Sequence, residues 1–310
     1  MPFKTKYLVL LLPIYLFMKK LSLSIIFLLI CVVPVLAQKA DMAIGRAVYE
    51  LTHIRDTANR NKPYKETMAL LLGKNESAYR SISKQQQDEM LSNQIADQVK
   101  KASDPNRLNL TITGGRAVTS EEYYQYINEK KLYTEEQIIN YYLVEEPLPI
   151  INWKIQPDTM SIGALHCQKA TAHFKGRDYE AWFCPEFPFR SGPWKLNGLP
   201  GLIIEASDTK KEVIFKFNRF EDISQNKQTI VPPKEDIKTT PKELAKLKEA
   251  RKKDPQGFAK AMAGGNAGTR ITGLSMGSID PSRISSINVI KSPDANSLVN
   301  NNPIELPEKK

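Results

Sequence analysis

Most of this chain is written in short apolar runs bounded by turn residues, the pattern of strands. Ile44 to Ile54 reads as a first strand of mixed polarity. Glu66 to Leu72 and Ser77 to Ile82 flank Gly73-Lys74-Asn75-Glu76, which predicts a hairpin. A helix is expected over about Lys84 to Lys101, with Ser83 as cap and Gln86 completing a capping box. Leu91, Ile95 and Val99 recur along it at four-residue spacing, a stripe that predicts core packing. Leu108 to Ile112 and Tyr123 to Tyr126 are further strands, with Gly114-Gly115 as a break between them. Gln137 to Val144 is a run of aliphatics and tyrosines, and Trp153 to Ile155 continues beyond Pro147 and Pro149.

Later in the chain, Gly163–Phe174, Arg177–Phe183, Leu199–Ser207 and Glu212–Ile223 form a meander joined by short turns. Strands and helices do not alternate regularly, which disfavours a parallel doubly wound sheet. The expected fold is mainly β with some α (α+β): a curved antiparallel sheet or half-barrel meander with a few packed helices. After Val231 the pattern changes. Thr240-Pro241-Lys242-Glu243 starts a helix, with Pro at its first position and Glu at N3. Leu244, Leu247 and Ala250 give this helix a narrow apolar face, and its lysines form a solvated surface. Gly264 to Gly268 reads as flexible, and Ile284, Ile287, Val289 and Ile290 predict a returning strand. Residues 232–281 are thus expected to form a basic, partly helical excursion from one β-rich domain spanning 38–310.

Charge changes the picture at the N-terminus. Residues 1–37 hold no Asp or Glu, and Lys19-Lys20 precede an apolar run from Leu21 to Leu36 that ends Val35-Leu36-Ala37. This is the pattern of a secretory signal peptide cleaved after Ala37, with Met18 the better start. One long anchor over Tyr7 to Leu36 would place two lysines at bilayer depth, which is costly. Ile30 before Cys31 argues against lipid attachment. No later run approaches the ~20 apolar residues of a span. Loss of Lys4, Lys6, Lys19 and Lys20 lowers the formal charge from +10 to +6, which suits an acidic surface. The expectation is an exported protein of the periplasm or outer membrane, with peripheral membrane association and no nucleic-acid partner.

Cys167 and Cys184 outlast cleavage. A hairpin turning at Lys175-Gly176 sets them opposite each other, so a structural disulfide is expected in an oxidising compartment. Two buried free thiols are the alternative.

Tyr179 to Asp208 is the densest segment, with three aromatic blocks and two turn signals. Asn197-Gly198 tolerates positive φ, and Leu199-Pro200-Gly201-Leu202 matches a type II turn. The stretch resembles the signature of the GLPGLI family, exported bacterial proteins of unassigned activity, because Gly198 to Ile203 reproduces the name-giving hexapeptide. The resemblance marks Gly192, Pro193, Trp194, Asn197, Gly198, Leu199, Pro200 and Gly201 as signature-turn residues. It implies that a cysteine is usual at 167, while Thr is commoner at 184, so a bond between them is no general family property. Asn302-Pro303-Ile304-Glu305-Leu306 also resembles the family's C-terminal pattern. Dense aromatics here are expected to be core. The competing reading is a rigid display of Trp182, Phe187, Phe189, Arg190, Trp194 and Lys195 to a partner or apolar ligand.

Candidate chemistry is sparse. Gly273-Leu274-Ser275-Met276-Gly277 spells G-x-S-x-G, but no His follows His173, so a nucleophile elbow is not expected. His166 and Cys167 alternate faces in a strand, and Cys167 and His173 lie ~20 Å apart along one, so no metal site converges. The glycines near Gly264 lack the Gly-Lys-Ser/Thr ending of a phosphate loop, and no cofactor is expected. Glu186, Glu205 and Asp208 are carboxylates near the signature, and Glu180 is expected to pair with a basic residue across strands. The leading reading is a noncatalytic envelope accessory or binding protein using a curved sheet, the partner being an envelope protein or an apolar ligand. The alternatives are an uncharacterised hydrolase and a structural subunit of an outer-membrane assembly. An apolar cavity would favour a carrier; paired carboxylates or a perturbed His in a cleft would favour an enzyme.

Overall fold

The computed structural model describes residues 40–104, 107–113, 118–138, 140–254, 257–258, 283–290 and 299–308. The expected signal segment, Gly114-Gly115, Gly264 to Gly268 and the G-x-S-x-G motif lie outside these residues.

The chain opens with strands β1 (Gly45–His53), β2 (Tyr64–Leu72) and β3 (Glu76–Ser81). The polar turn at 73–75 closes the expected hairpin, pairing Leu72 with Ser77 and Met68 with Ser81. Helix α1 (Ile82–Lys101) follows directly, and its cap is Ser81, not Ser83: Lys84 N donates to Ser81 Oγ at 2.8 Å. The strand runs straight into the helix, so its last residue takes the capping position. Leu91, Ile95 and Val99 pack on β4 (Leu108–Thr113), whose alternate residues Leu108, Leu110 and Ile112 are buried. Residues 137–144, read as one run, instead belong to two strands and their turn. After β5 (Glu122–Tyr126), β6 (Lys131–Gln137) and β7 (Tyr141–Pro147) pair antiparallel. Three consecutive buried positions of β6, Thr134, Glu135 and Glu136, are polar, which hid the strand from the sequence.

The second half begins with β8 (Lys154–Ile162), a longer strand than the run Trp153 to Ile155 suggested, and then follows the expected meander: β9 (Leu165–Phe174), β10 (Arg177–Cys184), β11 (Leu202–Asp208) and β12 (Val213–Asp222). Lys175 and Gly176 both take positive φ, 51° and 72°, in the two-residue turn between β9 and β10. Lys169 and Glu180 pair across these strands at 3.3 Å. β1 then joins the two halves, pairing with β2 on one side and β12 on the other.

The excursion is not wholly off the sheet. A short strand, β13 (Ile237–Thr239), pairs in parallel with β7, so the sheet is antiparallel-rich and not purely antiparallel. Helix α2 (Pro241–Lys253) begins with the expected Thr240–Glu243 capping box and buries Leu244. The returning strand β14 (Ile284–Ile290) pairs with β4 in a separate two-stranded sheet. The main sheet has twelve strands in the order β13-β7-β6-β5-β3-β2-β1-β12-β11-β10-β9-β8 and is open, with β13 and β8 at its edges. Its largest core lies under Trp194, which stacks on Phe215 (6.4 Å between centroids, 11° between planes) and meets Phe174 at 5.4 Å. Among the described residues no helix is long and apolar enough to cross a membrane.

Candidate functional site

Seven neighbouring strands, β7 to β12 in sheet order, each send at least one side chain to a single cavity of about 410 Å³. Laid flat, seven strands would span roughly 29 Å. One small cavity touched by all of them therefore requires the sheet to wrap around it. The cross-strand register Tyr79↔Tyr123↔Thr134↔Val144 puts one lateral row on the cavity face. Leu51 and Phe215 face each other farther round. Trp194 and Lys195 enter from the signature loop, Leu244 and Lys248 from α2, and Pro303 to Glu305 from the C-terminal segment.

The signature residues position Trp194. Leu196 N donates to Pro193 O, and Gly198 N to Arg190 O, folding the loop on itself. Asn197 does more than turn: its amide donates to Pro149 O at 3.2 Å and to Lys195 O at 3.0 Å, while Trp153 Nε1 donates to Asn197 O at 2.8 Å. Gly198 has φ 93°. The expected type II turn at Leu199-Pro200-Gly201-Leu202 does not form. Gly201 N donates instead to Leu199 O, and Leu202 N to Phe187 O. Gly201 takes φ 155°, and a Cβ there would lie 2.4 Å from Cys184 O, so only glycine lets these two stretches of backbone meet. Trp194 itself has φ 57°, rare for a bulky residue and costing about 1–3 kcal/mol. Its ring packing and the Gln125 Nε2 bond to Trp194 O hold it there.

The expected display surface is divided. Trp194 is 2% exposed and Lys195 8%, and both line the cavity. Phe187 and Phe189 stack half-buried on Phe220 at 4.6 and 6.4 Å. Trp182, between the buried Ala181 and Phe183, points to the other face of β10, and Arg190 is exposed. These six residues do not form one patch.

The expected disulfide is absent: Cys167 and Cys184 are both buried free thiols. The register is as read, since Phe183↔Gln168 is one step from pairing them. The two thiols remain in side-chain hydrogen-bond contact without a covalent link, and each has a further acceptor. Cys184 Sγ donates to Glu186 Oε2 at 2.5 Å, and Cys167 Sγ to Leu165 O at 3.9 Å. Burial, then the Glu186 bond, pushes the Cys184 thiol up to about 12. The bond from Cys184, with those from His166, holds the Glu186 carboxyl down at about 2. His166 and His173 are exposed partners of carboxylates, and no metal-binding cluster occurs among the described residues.

Sequence reasoning missed the polar wall. His53 is 1% exposed; burial pushes its pKa down to about 4, so the ring is neutral at pH 7. Its Nε2 donates to Asn302 O at 2.7 Å, leaving Nδ1 an acceptor without a partner. Tyr79 OH, Thr134 Oγ1 and Arg55 Nε are likewise buried without partners. One step beyond Glu122↔Glu135, Glu121 stands opposite Glu136. Burial, and next the Glu121 carboxylate, raises the Glu136 carboxyl, while Lys248 pairs with it at 2.7 Å. Lys195 and Lys175 pair with Glu305 at 2.5 and 3.3 Å. Against its burial, these two ammonium groups hold Glu305 below the usual carboxylate range.

Buried Arg177 ties down the C-terminal side of this wall. Its guanidinium donates to Asp208 (2.8 Å), Glu212 (3.1 Å), Asn302 Oδ1 (2.7 Å), Pro303 O (2.8 Å) and Ile304 O (2.8 Å). The motif Asn302 to Leu306, visible in sequence as a pattern, is thus a strap across the strand ends. Arg177 gave no signal of its own beyond its place beside a turn.

No curated protein matches the chain. Two crystal structures of PNGF-II resemble it, in the P21 form at 9% identity and the C2 form at 11%, each with a TM-score of 0.45. They cover 66% and 65% of this chain, which spans 32% of each solved chain. A family model described as "Protein of unknown function (Porph_ging)" matches residues 174–205, the segment holding the β9–β10 turn, β10 and the signature loop.

Proposed function

We propose that this chain is an exported cell-envelope accessory that binds a small ligand in the cavity on the inner face of its curved sheet, without catalysing a reaction. The single observation that carries this reading is the cavity of about 410 Å³, walled by Leu51, Met68, Trp194 and Phe215 and edged by polar groups. Pockets of this size, mostly apolar with a few placed polar groups, are the usual form of small-molecule sites. The strained Trp194 at its wall fits the habit of backbone strain to gather at binding sites. Export rests on the charge and hydropathy of residues 1–37. The test is native purification from the envelope followed by mass spectrometry of bound small molecules. A stoichiometric small molecule supports the reading; protein recovered empty, with a tight protein partner in its place, counts against it.

A second reading, an uncharacterised envelope hydrolase, is favoured by one observation: Glu121 faces Glu136 on the cavity side, and the latter's pKa is raised. Conversion of the recovered molecule on incubation with fresh protein would decide for it.

A further inference from the structure

We propose that Gln94 and Gln98 of α1 stand in for a neighbouring strand along the outer edge of β4, and so bar that edge to a second copy of this chain. The device lies outside the cavity and does not depend on a ligand. Three observations converge on it.

The first is the bonding itself. Gln98 Oε1 accepts from Thr111 N at 2.7 Å, and Gln98 Nε2 donates to Thr111 O at 2.6 Å. Gln94 repeats the pattern at Thr113, accepting from its N at 3.1 Å and donating to its O at 3.0 Å. A side-chain amide carries the same kinds of donor and acceptor as a peptide unit. Each glutamine therefore meets one residue of β4 as a partner strand would. In a strand, alternate residues aim their backbone polar groups to the same edge. Those of Thr111 and Thr113 lie together, and β14 pairs through the opposite edge.

The second is spacing. Four residues of a helix rise about 6 Å, and two residues of a strand about 6.8 Å. Glutamines at i and i+4 thus reach strand residues two apart without distortion of either element. Leu91, Ile95 and Val99 fix the register by packing on Leu108, Leu110 and Ile112. Gln94 and Gln98 then fall beside this apolar stripe, at the strand's edge.

The third is the contrast with the edges of the main sheet. β8 carries Lys154, Pro157 and Asp158 and loses register between Ile155 and Thr159. β13, at the other edge, is three residues long. Charge, proline, irregularity and shortness all deter strand addition. β4 has none of them, for Leu108 to Thr113 is a regular, uncharged alternation of apolar and polar residues. Left bare, such a strand is a template for its own copy. The glutamines supply the protection that its own residues lack.

The test compares the exported chain with Gln94→Ala/Gln98→Ala by sedimentation velocity over a wide range of concentration. Alanine keeps the helix propensity high and adds no apolar bulk. The double variant should form a larger species as concentration rises, while the parent does not change. Gln86→Ala/Asn93→Ala, at two exposed positions of the same helix, should behave as the parent. Amide exchange locates the contact. In the dilute double variant the Thr111 and Thr113 N–H groups should exchange about tenfold faster, the loss of one hydrogen bond each. They should become protected again on association. A purely structural role would lower the melting temperature and speed exchange with no association at any concentration, and that result overturns the proposal. So does association that leaves Thr111 and Thr113 unprotected. Should the double variant fail to fold, Gln94→Ala and Gln98→Ala singly each keep one amide, and the same comparison decides.

Discussion

Arg177 Nη2 donates to Asn302 Oδ1 at 2.7 Å, joining a turn residue at the start of β10 to a C-terminal segment 125 residues away. Asn302 in turn donates to Ile54 O at 2.8 Å and accepts from His53 through its own carbonyl. One guanidinium thereby aligns the strap, the end of β1 and the polar wall of the cavity. Arg177→Leu would leave Asp208 buried without its counter-charge and Glu212 with Arg60 alone. The expected loss is about 3–5 kcal/mol of unfolding free energy, read from a urea titration. An unchanged midpoint would show that the network carries no stability.

Acid should destabilise the protein through His53. Its folded pKa is about 4 against 6.5 for the free side chain. Between these values the unfolded chain binds a proton that the folded one refuses, so stability is full above pH 6.5 and drains as pH falls toward 4. The shift is worth about 3 kcal/mol at most. His53→Gln should flatten the fall in urea midpoint over this window; a slope as steep as in the parent chain would assign the effect to other groups.

The paired thiols should be present and slow. With Cys184 pushed up to about 12 and Cys167 raised by burial, little thiolate exists at pH 7. Alkylation of the native protein by iodoacetamide should be far slower than in denaturant, where both residues should react. Two cysteines that stay blocked in denaturant until reductant is added would show a bond between them.

Gly201 should accept no side chain. Gly201→Ala forces a non-glycine residue to φ 155° and sets a Cβ 2.4 Å from Cys184 O. Backbone strain alone costs about 1–3 kcal/mol, and relief of the clash must move the signature loop. Gly163→Ala, also at positive φ but with open space around it, should cost less. Thermal melts of the two variants compare them directly; equal losses would show that the close approach does not matter.

Much of the sheet was legible because strand signals are local. The β9–β10 turn at Lys175-Gly176, the opposition of Cys167 and Cys184, and the Thr240–Glu243 capping box all follow from spacing within a few residues of one another. The errors were local too. Ser81 displaced Ser83 as the cap because strand and helix abut, and Leu202 N turned to Phe187 O where a type II turn was expected. The candidate site was not legible. His53, Tyr79, Glu121, Thr134 and Glu136 come from three strands and a loop, and no spacing in the chain brings them together. Of the six aromatic and basic residues read as one display, Trp194 and Lys195 line the cavity, while Phe187 and Phe189 stack on Phe220 against the same core and do not line it.

From its residues alone the chain determines that it is rich in antiparallel strands, that its glycines and prolines shape one aromatic loop, and where its two described helices run. Those are outcomes of backbone sterics and side-chain periodicity, which act over a few residues. Only the tertiary structure decided that the sheet curls around a cavity, that the C-terminal strap crosses it, and that two cysteines in register remain unbonded. Curvature, distant hydrogen bonds and the aim of a buried side chain depend on how far-separated segments pack, and packing is set by all of them at once.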